Sequence, residues 1–275
     1  MPIATLYLFC RTVDSIADRR VVEIGPARAL DEIEALKNKL NATFCGRPPE
    51  AFLWQRLYQI HDRFALHPDP LYELIDGAVW DLKGRAIETR QDLIDYSNLV
   101  GGSIGAMVLP FLLENRSDFD HAEPAARALG IAMQITNITR DVGEDVQRLN
   151  RTYLPRTWLC AHGLSPEDLR GAAPPASYPL LMETVMETAE VFYDEGIAGI
   201  TALPGRMQTG IRAAARMYRE IMNEVRARRY DNLTQRAYVL LPRKAALILH
   251  DGYERRKGRL LMASPESSDA SLAVG

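Results

Sequence analysis

Between Gln134 and Pro155 the chain reads QITNITRDVGEDVQRLNRTYLP, and Gln134, Asn137, Asp141 and Asp145 are spaced by three, four and four. On an α-helix that spacing places all four on one face, one above another. Ala128 to Thr139 carries no charge, so the helix is expected to be buried before it reaches its aspartates. Two amides and two carboxylates on a buried stripe must be satisfied by something. A hydrated divalent cation carrying a phosphate would do so. A second stripe answers the first: in IATLYLFCRTVDSIAD, Tyr7, Arg11, Asp14 and Asp18 are spaced by four, three and four, flanked by Leu6, Phe9, Val13 and Ile16. Two acid-bearing stripes on separate apolar helices suggest facing walls of one cavity in a helical bundle.

Helical periodicity places the elements that hold these stripes. Helices are expected over 3–17, 27–40, 50–64, 71–81, 92–113, 125–146, 180–203, 210–229 and 235–261. Residues 150–178 read as the least helical region, with one short helical piece at 166–169 capped by Ser165. Trp80 and Asp81 read as packing residues. No alternating strand pattern, short repeat or dividing linker is found. The expectation is a single all-α domain over 1–262 followed by a small, polar, disordered tail over 263–275.

Composition narrows the function. A net charge of −3 and a pI near 6.0 give no general nucleic-acid binder, and the arginines of 206–229 interleave with acids. Cys10, Cys45 and Cys160 are isolated and odd in number, which fits a reducing cytoplasm. The five histidines form no metal spacing. The start of the chain has no signal-peptide pattern. The longest apolar run, 99–113, falls short of the roughly 20 residues of a spanning helix; it reads as a buried helix, with peripheral membrane contact left open.

The motifs CRTVDSIAD (10–18), DLIDYSNLVGGSIG (92–105), NITRDVGEDVQRLNRTYLP (137–155), GIRAAARMY (210–218) and RRYDNLTQRA (228–237) resemble those of squalene/phytoene synthases, most closely the bacterial phytoene synthases. The likeness covers residue 3 to about 257. The second aspartate block with its YLP is highly specific, whereas two acids four apart are common on any helix. The resemblance implies an isoprenoid-synthase helical bundle with a central cavity. It implies a Mg²⁺-dependent site, with Mn²⁺ as an alternative, and no use of NADPH. The implied reaction is head-to-head joining of two geranylgeranyl diphosphates, through a cyclopropyl diphosphate, to phytoene. The alternatives are a farnesyl diphosphate-using relative giving squalene, hydroxysqualene or dehydrosqualene, and a non-catalytic paralogue acting as an assembly factor.

That chemistry must expel diphosphate from an allylic carbon, which requires its charge to be neutralised. Asp14 and Asp18 offer one carboxylate pair; Asn137, Asp141 and Asp145 offer ligands on the opposite wall. Arg11, Arg140 and Arg236 offer planar forks for diphosphate oxygens, and Gln134 a further polar contact. Tyr7, Tyr96 and Tyr218 are candidates to steer departing diphosphate or face a carbocation. The 99–113 stretch suits a dry lining, with Gly101, Gly102 and Gly105 permitting close approach of a chain. Relatives often read DDxxD where Ser15 follows Asp14 here, which leaves the outer carboxylates in place. Relatives also carry a pocket-closing helix before the first aspartate helix, whereas Met1 stands thirteen residues before Asp14. The expectation is that this helix is missing and that helix 3–17 exposes an apolar face.

Overall fold

In the computed structural model, residues 2–238 are described, and every regular element among them is helical. Helices α1 (Pro2–Asp14), α2 (Val21–Ile24), α3 (Pro26–Phe44), α4 (Phe52–Phe64) and α5 (Asp69–Leu82) form one half of the bundle. Their apolar stripes meet in one cluster, with Leu6, Phe9 and Val13 of α1 packed among Ile33, Leu40, Leu57, Leu71 and Ile75. Each stripe recurs at three or four residues, so burying it against its neighbours is what fixes the helix. The outer side of α1 is bare: Ile3, Tyr7 and Leu8 are exposed.

The other half comprises α6 (Arg90–Ser97), α7 (Ser103–Val108), α8 (Phe119–Glu144), α9 (Arg156–Ala161), α10 (Tyr178–Gly199) and α11 (Gly205–Ala227). Helix α8 is its axis, packed against α7, α10 and α11. Ala132, Ile135, Thr136 and Thr139 are fully buried on it, and the Thr136 hydroxyl meets the Tyr193 hydroxyl of α10 at 3.0 Å.

Three expected helices are not uniform. Residues 15–20, 98–102 and 145–149 are wound as π-helix, wider than the α form and frequent at functional sites. The helix expected over 3–17 therefore changes winding after Asp14, the one over 92–113 after Ser97, and the one over 125–146 after Glu144. Helix α8 also starts six residues before the expected position, so Pro124 lies inside it at the cost of one backbone hydrogen bond. The short α9 was not expected. Residues 166–170 form a 3₁₀ turn in which the Ser165 N–H and hydroxyl both donate to Asp168. Gln235–Tyr238 are not helical, and the rest of the helix expected over 235–261, like the tail, lies outside the described residues.

The 99–113 glycines serve a different purpose from the one expected. An added Cβ would lie 2.3 Å from the Gly130 carbonyl oxygen at Gly101, and 2.1 Å from the Ala126 oxygen at Gly105. It is the backbone of α8 that approaches them. Val100 and Ile104, on the other side of the same stretch, face a cavity.

Candidate active site

That cavity holds about 450 Å³ and lies between the two halves. Asp14 and Asp18 line it from α1 and its π-wound continuation; Gln134, Asn137, Asp141 and Asp145 line it from α8 and its continuation. Both stripes read from spacing thus face one space. Arg11, Arg140, Arg236 and Tyr96 also line it, and Leu74, Ala78, Val100, Ile104 and Ile138 give it an apolar side. Its polar mouth continues past Ser15, Arg19, Glu144 and Arg148.

Two expected residues stand elsewhere. Tyr7 is 66 % exposed, a helical turn before Arg11, and is not among the described lining residues. Tyr218 is half-buried on α11 outside the lining, near enough to Arg140 to act on its charge.

The carboxylates crowd one another. Burial, then the charges of Asp141, Asp18, Glu144 and Asp81, push the Asp145 carboxyl up to about 8. Burial and Asp18 push Asp14 up to about 6, against the pull of Arg11, whose guanidinium lies 3.7 Å from it. Arginines answer part of this charge. Arg140 holds Asp141 through two N–H donors at 2.8 and 2.6 Å. Arg236 meets the same carboxylate at 2.7 and 3.1 Å and reaches Glu144 at 3.1 Å.

A short strap brings Arg236 there. Asn232 is buried: its amide donates to the Thr139 carbonyl and accepts from the Tyr178 hydroxyl at 2.7 Å. The Gly143 N–H donates to the Asn232 carbonyl at 3.0 Å, and a Cβ on Gly143 would sit 1.9 Å from the Leu233 oxygen. The glycine between the two acids is thus the seat of the strap.

Spacing did not reveal a third group. Asp81 of α5, read as a packing residue, lines the cavity and accepts hydrogen bonds from the hydroxyls of Tyr96 and Tyr153, both at 3.0 Å. The Tyr96 and Tyr153 rings stack at 4.9 Å. Arg151 lies 3.6 Å from Asp81 and donates to Asp18 at 2.8 Å and to the Ala17 carbonyl at 2.8 Å. It therefore ties the loop after Asp145 to the first acid wall. One signal was available: Leu74, Ala78 and Asp81 are spaced by four and three, so an acid ends an otherwise apolar stripe.

Among the described residues, no three His, Cys, Asp or Glu side chains already form a metal cage. Mg²⁺ is held by one or two carboxylates with water and substrate phosphates rather than by an all-protein cage. The donors present suit it: hard oxygens, mutually repelling carboxylates, and the buried Asn137 side-chain oxygen, which has no hydrogen-bond partner among the described residues.

The family model for squalene/phytoene synthase matches residues 1–243. Phytoene synthase 2 of Solanum lycopersicum is 33 % identical over 271 residues, spanning 98 % of this chain and 84 % of its own. The phytoene synthase of Rhodobacter capsulatus is 32 % identical over 266 residues, spanning 96 % and 76 %. Two further plant phytoene synthases are longer, and the match spans 58 % and 57 % of them. Among solved structures, a dehydrosqualene synthase in complex with ligand superposes with a TM-score of 0.78 at 30 % identity, covering 92 % of this chain and 86 % of that one.

Proposed function

The chain belongs to the squalene/phytoene synthase family, and from that premise we propose that it is a prenyltransferase joining two geranylgeranyl diphosphates head to head to give phytoene. The observation that carries this reading is the convergence of Asp14, Asp18, Asp141 and Asp145 on one cavity with three arginines and an apolar side. The phytoene synthases among its relatives support the choice of product.

Asp14 and Asp18 on one wall, and Asn137, Asp141 and Asp145 on the other, would hold Mg²⁺, or Mn²⁺ in its place. Bound there, the ion supplies Lewis-acid neutralisation of the leaving diphosphate. Arg11, Arg140 and Arg236 donate to diphosphate oxygens; Arg140 and Arg236 exchange the Asp141 carboxylate for phosphate as substrate enters. Gln134 orients the substrate from the same stripe. Leu74, Ala78, Val100, Ile104 and Ile138 pack the prenyl chain and keep water from the cation. Tyr96 faces the reacting carbons. No nicotinamide partner is assigned.

A second reading draws on the 30 % identical dehydrosqualene synthase: the same machinery acting on farnesyl diphosphate. Parallel incubations with Mg²⁺ and each diphosphate decide between them. Phytoene from geranylgeranyl diphosphate is the expected result. Hydrocarbon from farnesyl diphosphate alone moves the assignment to the shorter substrate, and none from either contradicts both readings, leaving the non-catalytic paralogue.

A further inference from the structure

Two residues beside Tyr96, Asp81 and Tyr153, have no role in the steps above. The Asp81 side chain is 11 % exposed and has the guanidinium of Arg151 3.6 Å away. Its two oxygens are shared out, one to the Tyr153 hydroxyl and one to the Tyr96 hydroxyl. An ionised carboxylate only accepts hydrogen bonds, so both phenols must donate to it. Burial holds both phenols well above their ordinary pKa, which keeps those protons in place. Each phenol oxygen then has lone pairs, and no proton, left to offer the cavity. Because the rings stack, neither can turn without disturbing the other. An electron-deficient carbon beside these oxygens meets the negative end of two fixed dipoles, a preorganised arrangement that needs no rearrangement during reaction.

Resting on the prenyltransferase reading, we propose that Asp81 is a positioning residue: it turns the hydroxyl protons of Tyr96 and Tyr153 out of the cavity, so that both oxygens face the developing carbocation as lone-pair donors. Arg151 holds the Asp81 carboxylate ionised and in register with Asp18. The Asp81→Asn substitution keeps the shape but presents an amide donor to one phenol, whose own proton must then point elsewhere.

The test is steady-state kinetics of the full chain with geranylgeranyl diphosphate and Mg²⁺. It compares wild type, Asp81→Asn, Tyr96→Phe, Tyr153→Phe and the Asp81→Asn/Tyr96→Phe double variant, each checked by thermal melting. Asp81→Asn is expected to lower kcat about tenfold or more while KM stays within about twofold. The loss caused by Tyr96→Phe should shrink in the Asp81→Asn background, because the two act as a unit. A folded Asp81→Asn variant with wild-type kcat, a loss confined to KM, or full additivity with Tyr96→Phe overturns the proposal. If Asp81→Asn melts below the assay temperature, Tyr153→Phe decides alone: it removes one donor and leaves the carboxylate. Lowered kcat at constant KM then supports the role, and unchanged kcat overturns it. A wild type that forms no product contradicts the assigned reaction itself, whereas an active wild type with an indifferent position 81 contradicts only the positioning role.

Discussion

A carboxylate held among other carboxylates in a partly dry cavity is expensive to ionise, and this site contains several. Asp145 is the extreme case, pushed up to about 8; Asp14 and Asp81 are each pushed up to about 6. For Asp81 the leading cause is burial, with Arg151 and the two tyrosine hydroxyls pulling the other way. Its folded-state pKa stands above the unfolded value, so its contribution to stability is complete below about pH 4 and is lost as pH rises through about 6. A shift of that size corresponds to about 3 kcal/mol. Asp81→Asn abolishes this ionisation. Urea unfolding should therefore show the variant gaining about 2–3 kcal/mol on wild type between about pH 4 and about pH 7.5. A gap that does not change with pH contradicts the account of Asp81. Spacing exposed Asp14, Asp18, Asp141 and Asp145 because i,i+3 and i,i+4 positions share a helix face. It did not expose Asp81, Arg151 and Tyr153, whose contacts join residues 72 and 133 positions apart. Tyr7 shows the converse limit: helical phase placed it on the stripe of Arg11 and Asp14, but the cavity begins one turn later.

At the scale of the element, Gly143 is the most constrained position. It is where the 230–236 strap lies against α8 and brings Arg236 to Asp141. Gly143→Ala should cost about 1–3 kcal/mol by overpacking and lower turnover by displacing Arg236. Gly210→Ala, at an exposed position of α11 with nothing within 4 Å of the new Cβ, should instead be neutral or stabilising by up to about 1 kcal/mol. Thermal melting of both variants checks the contrast, and equal effects would contradict the seating role of Gly143. Helix positions were legible because apolar residues recur at the helical period. The π-wound stretches were not, because α and π winding differ in hydrogen-bond register rather than in composition. Two of the three hold Asp18 and Asp145, the last acid of each stripe.

At the scale of the whole molecule, the two halves face each other across a cavity whose acids are only partly answered by arginines. The all-α class and the pairing of the acid walls followed from the sequence, because burial forces polar stripes on apolar helices to share an interior space. Arg11, Arg140 and Arg236 were among the residues named from the sequence and line the cavity; that Arg151 also answers the acids depended on a loop whose path no periodicity encodes. A ligand that binds only the folded state raises its melting temperature. Mg²⁺ together with inorganic diphosphate should therefore stabilise the protein more than either alone, as read by differential scanning fluorimetry; no added effect of the pair would contradict joint binding. The central claim is that both acid walls act together on the departing diphosphate. The most direct measurement is the rate of diphosphate release from geranylgeranyl diphosphate at saturating Mg²⁺ for wild type, Asp14→Asn and Asp141→Asn. The account predicts a fall of at least about a hundredfold in each variant with unchanged circular dichroism, and a wild-type rate in either folded variant would contradict it.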